Sequence, residues 1–378
     1  MMQKKKIMLV FGTRPEAIKM APLYHALKAL PDEFATQLCV TAQHRQMLDQ
    51  VLQAFQIHPD DDLDLMQPDQ SLNQLSAAIF SHLDPILAAF QPDWVLVQGD
   101  TTTVMAAAMA AFYRRARVGH IEAGLRTYDR WQPFPEEINR RVAGAVADLH
   151  FAPTEHARRN LLAENVSPAA ICVTGNPAID ALQHVLALPC PPETEALLAN
   201  LGVGPGVRRL VLVTAHRREN LGEPLEQICL ALRDLAARYP DSLAVLYPVH
   251  LNPHVQATAH RILDGLPNVT LTGPQDYLPM SHLLRRASLV LTDSGGIQEE
   301  ATSLGKPTLV LRDVTERPEG VAAGVLKLVG TVRGRILAEA TRLLDDPGAY
   351  QAMATAANPF GDGHAAERIV RALLEWPA

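Results

Sequence analysis

Short apolar runs rich in β-branched residues recur along nearly the whole chain, separated by longer stretches in which apolar residues return every three or four positions. Strands that alternate with helices pair in parallel, because each helix carries the chain back to the edge from which the next strand starts. In the first half the runs expected as strands are 6–11, 36–41, 94–98, 117–121, 149–152 and 171–174. Between them, "SLNQLSAAIFSHLDPILAAF" (71–90) and "TTTVMAAAMAAFYRRA" (101–116) carry the helical spacing, the second opening on threonines suited to capping. The alternation resumes at 209–214, 243–249, 269–271, 289–292, 308–311 and 325–329. The fold class expected is therefore α/β, as two Rossmann-like domains facing each other across a cleft.

Length agrees with two domains. At roughly 150 residues per domain, 378 residues hold two and leave a remainder. Proline and glycine concentrate in "ALPCPPETEALLANLGVGPGV" (187–207), the expected linker. The division read from this is an N-terminal domain over 1–180, a linker region over 181–207, a C-terminal domain over 208–362 and a final amphipathic helix over 363–378. The second half is not a sequence repeat of the first.

Composition excludes several classes. Hydrophobic residues at 48% against 20% charged give a chain able to bury a core, not a disordered one. The net charge of -7 lacks the basic excess that draws a protein to a phosphate backbone, so no nucleic-acid partner is expected. No apolar run reaches the length of a membrane span, and the run after the N-terminal lysines is too short for a secretory signal. Cys39, Cys172, Cys190 and Cys229 are widely spaced with no CxxC pairing, which predicts a reduced, cytoplasmic protein without a zinc site. No HExxH, GxGxxG after the first strand, or GxxxxGK[ST] occurs; neither a metal, a conventional dinucleotide nor a P-loop is expected.

In open parallel sheets ligands bind beyond the carboxyl ends of the strands, and here those ends are polar. "FGTRPEAIKM" (11–20) joins a tight turn at Gly12 to a helix start, with Arg14 and Lys19 as two cations suited to a phosphate. "VLVQGDTTT" (95–103) and "GHIEAGLRT" (119–127) deliver Asp100 and Glu122, two carboxylates whose crowding would raise a pKa into a range useful for proton transfer. "RWQPFPEEINRR" (130–141) presents Glu136 and Glu137 before a helix. "LVTAHRREN" (212–220) ends a strand in His216, with Arg217 and Arg218 beside it, which suits an acid, a base or a donor to phosphate. "LTDSGGIQEEATSLGKP" (291–307) sets Ser294, Gly295 and Gly296 at a helix N-terminus able to hold a phosphate, with Glu300 one turn on to accept from ribose hydroxyls and Arg317 as a further cation for a diphosphate. Helix capping alone accounts for Asp100 and Thr101, and acids in a first helical turn need no function to be favourable; both plain readings stand at this point.

Taken together and in order, "FGTRPEAIKM", "TAQHRQMLDQ", "QGDTTT", "GHIEAGLRT", "PFPEEINR", "TAHRREN", "PVHLNP", "LTDSGGIQEEA", "GKPTLVLRDVTERPE" and "NPFGDG" closely resemble the non-hydrolysing UDP-N-acetylglucosamine 2-epimerases, from about Met8 to His364. The resemblance implies a GT-B-like pair of domains, a cytoplasmic homodimer, no cofactor, and interconversion of UDP-GlcNAc and UDP-ManNAc that supplies ManNAc for surface polysaccharide. It also implies a route: loss of the C2 proton as the C1–O bond to UDP breaks, giving 2-acetamidoglucal, then re-addition with protonation from the other face. Asp100, Glu122 and Glu136 match the family's catalytic acids and His216 its active-site histidine. Arg14 and Lys19 match substrate or phosphate contacts; Gln275, Met280, Ser294, Gly295, Gly296, Glu300 and Arg317 match UDP contacts, Met280 by position only. For the site beside the active site at which UDP-GlcNAc activates some bacterial members, Gln43, Gln46, Glu136 and His250 are compatible, while "MQPDQSL" (66–72) offers no arginine. A glycosyltransferase of the same fold, a hydrolysing epimerase and a non-catalytic sugar-nucleotide sensor are the rival readings.

Overall fold

The computed structural model describes residues 4–42, 45–67, 69–204 and 207–376, and for 45–47 the backbone alone. The chain forms two compact units, Met1–His184 with Phe360–Ala378, and Val185–Pro359.

The first unit is built on a seven-stranded sheet: β1 (Lys5–Phe11), β2 (Phe34–Val40), β3 (Asp61–Asp62), β4 (Trp94–Gln98), β5 (Arg117–Ile121), β6 (Leu149–Ala152) and β7 (Ile171–Val173). Their order is β3-β2-β1-β4-β5-β6-β7, and every pairing is parallel. Six of these strands stand at the expected runs. β3 escaped the sequence reading because two aspartates carry neither length nor β-propensity; it exists through its register with Cys39 and Val40. One face of the sheet packs through Met8, Val10, Val95 and Val97 against Leu75, Ile79, Leu83 and Leu87 of helix Leu72–Phe90 and against the alanine-rich helix Thr102–Tyr113. Small side chains let that second helix lie close to the strands. Ser71 and Thr101 cap the two helices.

The second unit repeats the plan with six parallel strands: β8 (Arg209–Thr214), β9 (Leu243–Pro248), β10 (Val269–Thr272), β11 (Ala287–Thr292), β12 (Thr308–Val310) and β13 (Leu326–Leu328), ordered β10-β9-β8-β11-β12-β13. Aliphatic residues of β8, β9 and β11 pack on Ile228, Leu232 and Leu235 of helix Glu223–Arg238. Within the proline-rich 187–207 stretch lies helix Pro192–Asn200, whose Leu198 is buried in the core of the second unit, together with Leu201 just beyond it. The last helix, Ala365–Glu375, belongs to the first unit: Ile369 and Leu373 are fully buried, and Lys5 Nζ donates to the carbonyls of Leu373 and Trp376, both at 2.8 Å.

Strand order reverses between β1 and β4 in the first unit and between β8 and β11 in the second. At such a switch point the two flanking helices leave in opposite directions and open a crevice beyond the strand ends. All four cysteines are free, and burial pushes the thiols of Cys39 and Cys229 up to about 12. Among the described residues no helix is long and apolar enough to cross a membrane.

Candidate active site

In the first unit the crevice is shaped by a buried carboxylate. Glu16, two residues into helix Arg14–Lys28, turns back so that Oε2 accepts from the amides of Gly12 (3.0 Å) and Thr13 (2.7 Å), while Oε1 accepts from the Thr101 hydroxyl (2.6 Å). It thus ties the turn after β1 to the turn after β4, across the switch point. Burial raises the Glu16 carboxyl above its ordinary range, opposed by the donors of Thr101, Thr13 and Gly12.

Asp100 follows β4. Arg140 of helix Glu136–Val146 donates to its carboxylate, and Asn139 Nδ2 holds its carbonyl at 3.0 Å. The side chain keeps 28% of its surface exposed, yet it is set deep enough that loss of water raises its carboxyl, with the Glu122 charge adding to the rise and Arg140 and Lys19 opposing it. A carboxyl held high between a cation and a second acid is equipped to exchange a proton.

Glu122, just past β5, is buried and stands in the left-handed backbone region (φ 61°), a conformation that a residue of its shape adopts at a cost of about 1 kcal/mol or more. Three donors converge on it: Lys19 Nζ at 2.5 Å, Asn176 Nδ2 at 3.0 Å and the Gln98 amide. His120 Nε2 donates to the Gly99 carbonyl at 2.7 Å, and burial holds this imidazole at about 4, so it is neutral at physiological pH and fixes the turn that carries Asp100.

The adjacent acids of "PFPEE" divide their work. Glu137 is fully buried and accepts from the Thr127 and Tyr128 amides at 3.1 and 3.3 Å, pinning the preceding loop. Glu136 is half-buried, and its Oε2 is enclosed with no partner among the described residues. An enclosed, unpartnered carboxylate oxygen suits a group that waits for a ligand donor.

The second unit builds its switch point from the other side. Asp293, at the end of β11 and fully buried, accepts through Oδ2 from the amides of His216 (2.7 Å) and Arg217 (2.8 Å) and from Asn220 Nδ2 (3.0 Å). His216 stacks on His250 with ring centroids 5.2 Å apart. Burial lowers its pKa, Asp293 opposes, and His250 and Arg217 reinforce the lowering, so the imidazole is neutral at physiological pH. Ser294 leads into helix Gly295–Ser303, and Arg317 lies directly over Gly295: a Cβ there would stand 3.0 Å from the guanidinium carbon. Glycine at 295 is what lets a cation close over the helix N-terminus. Arg317 Nε is anchored by the buried Glu299 at 2.8 Å, with the guanidinium beside the first amides of the helix, an arrangement suited to phosphate.

Of the residues expected from the sequence, Lys19, Asp100 and Glu122 are brought together, and Glu136 stands on the helix that supplies Arg140. Ser294, Gly295 and Gly296 form one helix N-terminus in the second unit with Arg317 over it, and Glu300 lies in the second turn of that helix. Gln275 donates to the Gly273 carbonyl just past β10, and Met280 packs partly against the second unit's core. Arg14 opens its helix, half-buried. Gln43 and the Gln46 side chain lie outside the described residues. Sequence alone does not single out Glu16, Gln98, Asn176 and Glu299 or give Asp293 a role: the capping box Thr13-x-x-Glu16 is a local signal for Glu16, while the Thr101 contact of Glu16 and the partners of the other four lie far away in sequence.

A family model described as UDP-N-acetylglucosamine 2-epimerase matches residues 25–374. The UDP-N-acetylglucosamine 2-epimerase of Escherichia coli K12 is 55% identical over 97% of this chain and 98% of its own length, and that of Bacillus subtilis 51% over 99% and 96%. Among solved structures, the Neisseria meningitidis UDP-GlcNAc 2-epimerase bound to UDP-GlcNAc superposes with a TM-score of 0.89 at 48% identity, covering 98% of this chain and 100% of that one. The Methanocaldococcus jannaschii enzyme in complex with UDP-GlcNAc and UDP gives 0.80 at 31%, covering 97% and 99%. With its β1 turn, its acids at β4 and β5 and its Ser-Gly-Gly helix start all in place, the chain belongs to the UDP-N-acetylglucosamine 2-epimerase family.

Proposed function

We propose that the protein inverts C2 of UDP-GlcNAc to give UDP-ManNAc, by elimination of UDP to 2-acetamidoglucal and re-addition, as a cytoplasmic homodimer that supplies ManNAc for polysaccharide synthesis. The observation that carries this reading is the Asp100, Glu122 and Lys19 group at the ends of β4 and β5, where one carboxyl is held above its ordinary range beside a second carboxylate. The C2 hydrogen of the sugar is not acidified by a carbonyl, so a base works on it only if the departing diphosphate carries the electron pair away with C1–O cleavage. The chemistry therefore needs proton-handling groups around the ring and cations on the leaving group.

In this reading Asp100 and Glu122 handle the protons at C2, Glu136 assists, and His216 serves as the neutral imidazole at the edge of the UDP site. The Ser294–Gly296 amides and Arg317 take the diphosphate, Glu300 the ribose, and Gln275 and Met280 border the base; Arg14 and Lys19 assist at the phosphate side. His250, Gln43 and Gln46 match the positions at which UDP-GlcNAc activates some bacterial members of the family.

The test is incubation with UDP-GlcNAc alone in D2O, followed by proton NMR. Deuterium entering at C2 as UDP-ManNAc appears is the expected result. Free ManNAc would indicate a hydrolysing enzyme, and absence of exchange would leave a transferase or a binding protein.

A further inference from the structure

Asn176 sits at the turn after β7, just before helix Pro177–Ala187, with 1% of its surface exposed. Its Oδ1 accepts from the Ala178 amide at 3.0 Å, the bond an ordinary N-cap makes to the second helical residue. The other half of the same amide does something a cap does not require: Nδ2 donates to Glu122 Oε1 at 3.0 Å. Because one oxygen must face an N–H and the nitrogen a carboxylate, the orientation of the amide is fixed at both ends. The backbone is fixed as well. Asn176 N donates to the Phe360 carbonyl at 2.8 Å, where the chain re-enters the first unit, and Gly361 comes so close that a Cβ on it would stand 3.2 Å from Asn176 N. This gives the "NPFGDG" segment a physical role: its glycine lets the returning chain lie against the Asn176 turn.

We infer that Asn176 is a positioning residue for Glu122, orienting that carboxylate through its side-chain amide while the 360–361 segment holds the Asn176 backbone. The role rests on the reading that Glu122 takes part in the C2 chemistry. An aspartate or a serine caps a helix about as well as asparagine, so a residue that only caps tolerates Asn176→Asp and Asn176→Ser. A residue that donates to a carboxylate tolerates neither. Ionised aspartate has no proton to give and repels Glu122; protonated aspartate donates again. Serine is too short to reach.

The experiment measures kcat and KM for UDP-GlcNAc with C2 deuterium exchange, across pH, for the wild type and both variants. Asn176→Asp should lose about tenfold or more in kcat at mildly alkaline pH with KM little changed, and its kcat relative to wild type should rise as pH falls. Asn176→Ser should lose rate by a similar factor at every pH. Lys19, Asp100 and His120 face Glu122, and Asp180 and Arg368 flank the Asn176 turn; they are common to all three proteins, and Asn176→Ser, which adds no charge, is the reference against which their titration is read. Wild-type kcat in either variant, or an Asn176→Asp ratio flat with pH, overturns the inference while leaving the epimerase reading intact. A wild type that shows no exchange overturns that reading and this role with it.

Discussion

The two switch points solve one structural problem in opposite ways. In the first unit the clamp is Glu16, which comes from the helix after the first central strand and reaches over to the turn of β4. In the second it is Asp293, which comes from the end of β11 and reaches back to the turn of β8. Each buried carboxylate neutralises backbone donors that the crevice would otherwise leave exposed. What surrounds the clamps differs more. The first crevice holds two further acids, Asp100 and Glu122, between Lys19 and Arg140. The second holds a glycine-led helix N-terminus under an arginine, beside a neutral histidine. Under the proposed function the same fold carries groups that move protons in one unit and groups that hold an anion in the other; fold fixes where a site lies, and the side chains at the strand ends decide what it does.

Four measurements bear on the contrast between the two crevices. The largest effect is expected for Asp100→Asn and Glu122→Gln, each lowering kcat by about a thousandfold, some 4 kcal/mol; near-normal turnover in both would remove the chemistry from the first crevice. Next is Asp293→Ala, which takes the acceptor from two part-buried backbone amides and from the buried Asn220 side chain, and should cost about 3 kcal/mol in urea unfolding. Arg317→Ala should weaken UDP binding by about ten- to a hundredfold in calorimetry, with the per-site rate at saturation less affected.

The smallest effects are in the pH dependence of stability, and the two clamped sites differ in sign. Glu16 is held above its ordinary range by burial, so the native state keeps that proton longer than the unfolded chain does. Its contribution is full below the unfolded value and is lost as pH rises through the folded one. His216 is lowered by burial, so its contribution is full above the ordinary value and is lost as pH falls through the folded one. Thermal melts against pH should lose the first slope in Glu16→Gln and the second in His216→Asn.

Much of this was legible in the sequence because parallel sheets are written locally: a buried strand is a short apolar run, and its end is marked by glycine and polar residues, as at "VLVQGD" and "LTDSGG". The positions of Asp100, Glu122, His216 and Ser294 followed from those ends. Contacts across the sheet were not written that way. Nothing near Glu16 announces Thr101, 85 positions away, and nothing near Asn176 announces Glu122 or Phe360. In "EE" pairs the sequence offers two acids and no means to rank them; burial separates Glu137, which pins a loop, from Glu136, and the ion pair with Arg317 marks out Glu299 beside Glu300. The edge strand β3 is two aspartates whose pairing with β2 supplies the structure that their propensity lacks.

The division of labour between the crevices is tested most directly by calorimetric titration of UDP into Asp100→Asn. The account predicts an affinity within about twofold of wild type in a variant whose C2 exchange is abolished. An affinity weakened in proportion to the lost rate would contradict it, because the acid would then be holding the nucleotide and not moving the proton.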